Sequence, residues 1–233
     1  MSPERYSTLR FPRGYHLEKT VTWGLCLQRD DKGEFFTLAN RHFDKIDHYL
    51  GYLPSRFIEF FLENAGGRSV DILDLGAGVN LVSAKEICKK YGRKVRVTTI
   101  DFVVNKAIRP ASVDRLQADA AHISLRDNVF EFIYAFQLLS YIQEDKQLEV
   151  IREMVRVLKP GGVALLDDSL PFETINHQLF ESFGPVAYCI PREGNKSEPG
   201  QVVFGGPSIT TMIIKEPVDQ RMYGIRERII GHI

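Results

Sequence analysis

Hydrophobic positions follow two rhythms along this chain of 233 residues. Short apolar runs, of the kind that form strands buried on both faces, alternate with stretches whose apolar residues recur at helical spacing. The clearest example begins at Val70. Val70, Ile72, Leu73 and Leu75 predict a strand, Gly76 and Gly78 follow at once, and Leu81, Ala84, Ile87, Cys88 and Tyr91 then mark one face of a helix. Downstream, Val95, Val97 and Ile100 predict a second strand that ends at Asp101, and a short third strand lies around Asp114 to Gln117. Phe130, Phe132, Ile133, Tyr134 and Ala135 give a fourth. Leu148, Ile151, Met154, Val155 and Leu158 give an amphipathic helix, stopped by Lys159-Pro160-Gly161-Gly162. Val163 to Leu166 reads as a fifth strand closed by Asp167-Asp168. Pro171 to Phe183 reads as a helix, Val186 to Ile190 as a sixth strand, and Ile209 to Ile214, in preference to Val202-Val203-Phe204, as a seventh.

Upstream of Val70 the pattern predicts two helices between Asn40 and about Asn64. Ile46, Tyr49, Leu50 and Leu53 line the first; Pro54 restarts the chain in a first helical turn, and Phe57, Ile58, Phe60, Phe61 and Leu62 make the second. Residues 1 to about 40 show the least regularity. Pro3, Pro12, Gly14, Gly24 and Gly33 are interspersed with Tyr6, Phe11, Tyr15, Trp23, Phe35 and Phe36. An arm this aromatic covers something, either the outside of the core or a substrate over which it closes. The chain therefore divides into an N-terminal arm and helical cap (1–66), an α/β core (67–216) and a tail (217–233) readable as a helix or a partner-binding arm.

Composition narrows the function classes. Lys+Arg and Asp+Glu are both 30, so the formal net charge is zero and the simplest electrostatic argument for nucleic acid is missing. The three cysteines, Cys26, Cys88 and Cys189, are widely spaced with no C-x-x-C, which argues against a disulfide framework or zinc knuckle and for a reducing cytoplasm. No signal-peptide core follows the first methionine, and no stretch is long and apolar enough to span a bilayer. The expected partner is a small molecule, with no nucleic acid and no membrane, in a protein free to form a homo-oligomer.

Strands alternating with helices imply a mainly parallel sheet, and right-handed crossovers place the carboxyl ends of its strands on one rim. The glycine corner Gly76, Ala77 and Gly78, then Asp101, Asp119, and Phe136 with Gln137 all fall at predicted strand ends on that rim. Glycine lets a ligand approach the backbone, and a helix opening next presents N–H groups. Asp101, about twenty residues on, stands where dinucleotide folds place the acid that accepts from ribose hydroxyls. Phe102 is positioned to lie against a purine, Asp119 to accept from an exocyclic amine, and the Ala120 N–H to meet a ring nitrogen. Asp74, just before the glycines, either holds the loop or meets a cationic ligand group.

These residues carry a resemblance. From about Val70 to Asp168 the chain resembles class I S-adenosylmethionine-dependent methyltransferases, in particular those acting on small molecules. Leu73-Asp74-Leu75-Gly76-Ala77-Gly78 matches the family's first motif, Asp101 its ribose-binding acid, Ala118-Asp119-Ala120 its adenine-side motif, Phe130 to Tyr134 its fourth strand, and Leu158 to Gly162 its turn before the fifth. The resemblance implies a Rossmann-like, doubly wound, seven-stranded, mostly parallel α/β sheet with helices on both faces, here behind an N-terminal helical or irregular cap. It also implies S-adenosyl-L-methionine as cofactor and methyl transfer to an O, N or C nucleophile of a small molecule. This chain departs from the family pattern at Asn80, where a third glycine is frequent, at Glu131 in place of Asp, and at Tyr141 in place of His.

Tyr141, His42, His48, His122 and Tyr49 have the chemistry of a catalytic acid or base, with Tyr141 and His42 foremost. Asp44 and His48, spaced i, i+4, supply only two potential metal ligands, so no metal is expected. Asp167-Asp168 reads as a solvated strand end or a holder of a cationic group. Two rival readings stay open. One is a methyltransferase-like binding or scaffold protein without turnover. The other is an NAD enzyme, whose G-x-G-x-x-G fingerprint would need a third glycine where Leu81 stands.

Overall fold

A computed structural model describes residues 7–21, 24–29, 35–39, 41–168, 187–191 and 209–215. In the first of these segments lie β1 (Leu9–Arg10) and β2 (Tyr15–Val21), followed by β3 (Gly24–Arg29) and β4 (Phe35–Ala39). Helices α1 (Phe43–Tyr49) and α2 (Leu53–Asn64) lead into β5 (Val70–Leu75) and α3 (Val82–Tyr91). The remaining elements are β6 (Val95–Asp101), β7 (Val104–Asn105), β8 (Val113–Gln117), β9 (Phe130–Phe136), α4 (Glu144–Val157), β10 (Leu158–Asp168), β11 (Ala187–Pro191) and β12 (Ile209–Ile214).

The central sheet runs β11-β12-β10-β9-β5-β6-β8. β5 pairs parallel with both β6 and β9, β6 with β8, and β9 with β10, whereas β12 runs antiparallel to β10 and β11. The chain starts at β5, winds outward to β8, then returns to β9 beside β5. The order reverses there, and a crevice opens at the carboxyl ends of the strands.

Side-chain alternation sends the two faces of the sheet into separate cores. Along β9, Phe132, Tyr134 and Phe136 pack with Phe43 of α1, Phe57 of α2 and Ile87 of α3, while Ile133 and Ala135 pack with Val150, Ile151 and Met154 of α4. The two helices expected between residues 40 and 64 are α1 and α2. Their junction is fixed by Asp47, 2% exposed, which accepts from the Ser55 N–H at 2.8 Å and from the Ser55 hydroxyl, with Lys90 Nζ 3.7 Å away.

The N-terminal arm departs from the expectation of an irregular cap. β2, β3 and β4 form a three-stranded antiparallel sheet. Glycines stand at or beside the strand ends, Gly14 before β2 and Gly24 at the start of β3, and a bulge between Leu17 and Lys19 breaks the two-residue rhythm. The expected helix at 171–183, the alternative strand at 202–204 and the tail at 217–233 lie outside the described residues.

The Lys159 to Gly162 stretch also differs from a plain turn. It is absorbed into β10 as an irregularity between Leu158 and Val163. Gly161 takes φ 74°, its N–H donates to the Lys215 carbonyl at 2.8 Å, and the Lys215 N–H donates to Gly162 at 3.1 Å. A Cβ at Gly162 would meet the Lys159 carbonyl oxygen at 2.8 Å and Leu158 side-chain carbons at 2.9 Å. Gly162→Ala is therefore expected to lower the urea midpoint by an amount equivalent to about 1–3 kcal/mol, the usual cost of overpacking. An unchanged midpoint would show that the bulge relaxes freely.

At the amino ends of the strands, opposite the crevice, the Asp71 carboxylate pairs with Arg96 at 2.6 Å and with Lys159 at 3.3 Å. Glu131 accepts from the Asp71 N–H at 2.8 Å and pairs with Lys159 at 2.5 Å. The departure from the family pattern at Glu131 is thus a matter of this edge and not of the site.

Candidate functional site at the carboxyl rim

Two runs of sequence meet where β5 and β6 end. Gly76 and Gly78 take φ 77° and 72°, which bend the chain sharply after the buried strand. The main-chain amides of this corner do not face the crevice. The Gly76 and Ala77 N–H groups donate to the Ile100 carbonyl at 2.8 and 3.3 Å, and the Gly78 N–H donates to Asp101 Oδ2 at 2.7 Å. That overturns the expectation of amides offered to a ligand. What the corner turns outward is the Gly76 carbonyl, which accepts from Arg41 Nη1. Across the rim, the Gln137 carbonyl accepts from Arg41 Nη2 at 2.9 Å.

A cavity of ≈ 100 Å³ opens here, with Gly76, Asp101, Phe102, Asp119, Ala120 and Tyr141 among its walls. A shallower cleft of ≈ 390 Å³ shares Phe102, Ala118 and Asp119 with it. The sequence-predicted residues thus converge from β5, β6, the loop after β8 and the turn after β9. Asp101 is 8% exposed; Oδ1 accepts from the Val103 N–H at 3.0 Å. Burial raises its pKa, opposed by the Val103 and Gly78 amides and by the Arg41 charge. With one amide on each oxygen, the carboxylate keeps lone pairs for further donors. Asp119 Oδ1 accepts from the Ala121 N–H at 2.9 Å, which fixes the carboxyl at the cavity wall.

Other sequence candidates lie elsewhere. Asp74, Ala77 and Phe136 are buried beneath the rim, at 4%, 3% and 2% exposure, and Gly78 is buried with them. Asp74 neighbours Tyr134 inside the sheet. Asp74 Oδ2 and the Tyr134 hydroxyl are buried without a hydrogen bond of good geometry among the described residues. Burial pushes the Asp74 pKa up to about 7, against the lowering effects of the Tyr134 hydroxyl and the Arg41 charge. Gln137 contributes its carbonyl, and its φ of 52° marks a strained strand end. His42 lies outside the cavity walls; its Nδ1 is 2.8 Å from Glu86 Oε1 on α3. Asp44 and His48 are exposed on α1, and His48 stacks edge-on with Tyr52 at 5.5 Å. Tyr49 and His122 also lie off the walls. At Asn80, where the family often has a third glycine, the backbone is not left-handed; that conformation falls to Leu81, buried at φ 54° ahead of α3. Of Asp167 and Asp168 only the backbone pairing, with β9 and β12, is described.

Several wall residues, Arg41, Lys146 and Tyr15 among them, carried no clear signal in the sequence. Arg41 precedes α1 and is held there because the Ser83 hydroxyl donates to its carbonyl at 2.9 Å. Lys146, at the start of α4, also lines the cavity. Tyr15 arrives from the N-terminal segment and packs edge-on against Phe102, centroids 4.9 Å apart. β1 pairs antiparallel with β7, and Gln117 Nε2 donates to the carbonyls of Arg10 and Phe102 at 3.1 and 3.0 Å. The density of aromatics in the arm was the only hint of Tyr15. Among the described residues no three His, Cys, Asp or Glu side chains gather as a metal site.

Residues 73–166, which supply most of these walls, match a family model described as Methyltransferase domain. The match spans less than half of the chain and shows similarity to S-adenosylmethionine-dependent methyltransferases. A methyltransferase relative, the ubiquinone/menaquinone biosynthesis C-methyltransferase UbiE of Idiomarina loihiensis, is 31% identical over 130 residues, covering 50% of this chain and 49% of that protein. UbiE of Pseudomonas putida strain W619 is 28% identical over 192 residues, 73% of each chain. The chain thus spans about half the length of the first curated relatives it matches. Among solved structures, a SAM-dependent methyltransferase from Methanosarcina mazei superposes with a TM-score of 0.48 at 16% identity, over 66% of this chain and 96% of that one.

Proposed function

We propose that this chain binds S-adenosyl-L-methionine at the carboxyl rim and transfers its methyl group to a small-molecule acceptor. The observation that carries the reading is the direction of the main-chain groups. A dinucleotide corner needs amides aimed at a pyrophosphate. Here the amides of Gly76, Ala77 and Gly78 point inward and carbonyls of Gly76 and Gln137 point to the rim. Carbonyls and a carboxylate suit a cationic ligand with a sugar diol, and the donor set therefore fits this cofactor and not NAD. The buried Leu81, where a dinucleotide fold has its third glycine, supports the same choice.

In this reading Asp101 accepts from the ribose hydroxyls, Phe102 lies against the adenine face, and Asp119 with the Ala120 N–H meets the adenine edge. When bound, the cofactor supplies an electrophilic methyl group on a sulfonium. The chain's own part is to position it and to exclude water. Tyr141 holds a hydroxyl at the cavity wall, where it exchanges a proton with the acceptor; His42 has no such access. Tyr15 and Arg41 complete the wall. The zero net charge favours a compact acceptor over nucleic acid. No helix among the described residues is long and apolar enough to cross a membrane, and with the sparse cysteines this supports action in the cytoplasm.

Titration calorimetry of the whole chain with S-adenosylhomocysteine tests the binding; absence of heat at millimolar ligand would end the proposal. Transfer of a labelled methyl group to a panel of phenols, amines and alcohols tests the reaction, and the carbon methylation named for the relatives puts phenolic carbons first. Binding without transfer to any class would favour the scaffold reading. Tyr141→Phe is expected to lower kcat by about ten- to a hundredfold, the range for one acid–base group, and to leave S-adenosylhomocysteine affinity in place. An unchanged kcat would remove Tyr141 from the chemistry.

A further inference from the structure

The Arg41 guanidinium bridges the rim. It donates to the main-chain carbonyls of Gly76 and Gln137, which belong to different loops 61 residues apart in sequence, so one planar cation gathers two acceptors at the rim, with Gly76 and Arg41 themselves in the cavity wall. Its Nε is buried without a hydrogen-bond partner among the described residues, so the side chain's donors are only partly used. A Cβ on Gly76 would lie 3.3 Å from Arg41 Nη1 and 2.9 Å from Leu138 Cδ1, which shows how closely these two side chains crowd the corner. The cavity of ≈ 100 Å³ beside them is well below the roughly 300 Å³ at which small-molecule sites begin.

Two convergent carbonyls make an ammonium site, since a primary ammonium carries three donors and no acceptor. We propose that Arg41 occupies the subsite for the cofactor's amino group in the free protein, and that it must give up the Gly76 and Gln137 carbonyls before that group can bind. The inference rests on the methyltransferase reading of the site and adds to it a residue that governs selectivity between nucleosides with and without the amine. Arg41 is well placed to withdraw. It lies just ahead of α1, and the hydrogen bond from Ser83 to its carbonyl keeps the backbone in place while the side chain moves. The carboxyls of Asp74 and Asp101 feel its charge and hold a positive group at this end of the cavity whether it comes from Arg41 or from a ligand.

The test compares two nucleosides by calorimetry on the whole chain. 5′-Methylthioadenosine has neither amine nor carboxylate. Decarboxylated S-adenosylhomocysteine has the amine alone, so an ion pair between Arg41 and a carboxylate cannot confuse the result. Arg41→Met is expected to bind the amine-bearing nucleoside about tenfold more tightly than the wild type, the scale of one hydrogen bond to a charged group, with methylthioadenosine unchanged. Unchanged methylthioadenosine binding also shows that the variant is folded. Arg41→Lys, which keeps the charge but not the two-pronged geometry, should fall between. Equal or weaker binding of the amine-bearing nucleoside by Arg41→Met, with methylthioadenosine retained, would overturn the inference. Loss of both nucleosides in both variants would also overturn it, because Arg41 would then be holding the shape of the cavity. Failure of the wild type to bind S-adenosylhomocysteine and methylthioadenosine would be a failure of the methyltransferase reading itself.

Discussion

Asp101→Ala is expected to weaken S-adenosylhomocysteine binding by a hundredfold or more. Two charge-assisted hydrogen bonds to a ribose diol, at about 1.5–3 kcal/mol each, account for that loss. The same substitution strands the Gly78 and Val103 amides, which donate to this carboxylate at 2.7 and 3.0 Å. Asp101→Asn should fare little better. Its amide oxygen can accept from one of the two N–H groups, and its NH₂ must then face the other, donor against donor. Calorimetry on both variants checks the claim, with thermal unfolding alongside to separate a lost ligand contact from a loosened glycine corner. Binding within threefold of wild type in either variant would remove Asp101 from the sugar site.

Wild-type stability is expected to fall as pH rises from about 4 to about 7, and Asp74→Asn should abolish that part of the profile. Asp74 is buried, and desolvation holds its pKa up to about 7, above its ordinary value of 3.8. Between those two values the folded chain binds a proton that the unfolded chain has released. More protons in the folded state means stability that declines with rising pH and levels off above the folded pKa. A shift of this size corresponds to at most ~4 kcal/mol, less whatever rearrangement near Tyr134 recovers. Urea midpoints at pH 5 and pH 8 for wild type and Asp74→Asn isolate the effect, because every other titration cancels in the double difference. Parallel profiles would show that Asp74 is ionised throughout. The sequence left Asp74 between two roles, loop holder and cation partner. Its burial behind the Gly76 corner makes it a core group that reaches the site only through its charge on Arg41 and Asp101.

The rim could be read in advance because apolar runs and glycines mark where strands stop. Val70 to Leu75 and Val95 to Ile100 fix the ends of β5 and β6, and once the strands are parallel, Gly76 and Asp101 have to be neighbours. The Gly76 N–H reaching the Ile100 carbonyl is the direct result. Main-chain direction was not readable in the same way. Which group a bend turns outward depends on ψ at each residue and on a bond such as Gly78 to Asp101, formed across 23 positions of sequence. Leu81 shows the same limit. Among residues with a side chain, asparagine is one that tolerates left-handed dihedrals well, yet the strain fell on its bulky neighbour, whose side chain is anchored in the core. The strands β2 to β4 were hidden by glycines at their ends and by a bulge that disturbs the alternation. Arg41 and Tyr15 reach the cavity from segments without a distinctive pattern, brought there by Ser83, β7 and Gln117.

Residues 15 and 41 both stand upstream of the stretch 73–166 that the family shares, yet they form part of the cavity's enclosure. The matched stretch supplies most of the walls but not all of them, so residues 73–166 cut out alone would leave the cavity open on the side that Tyr15 and Arg41 now cover.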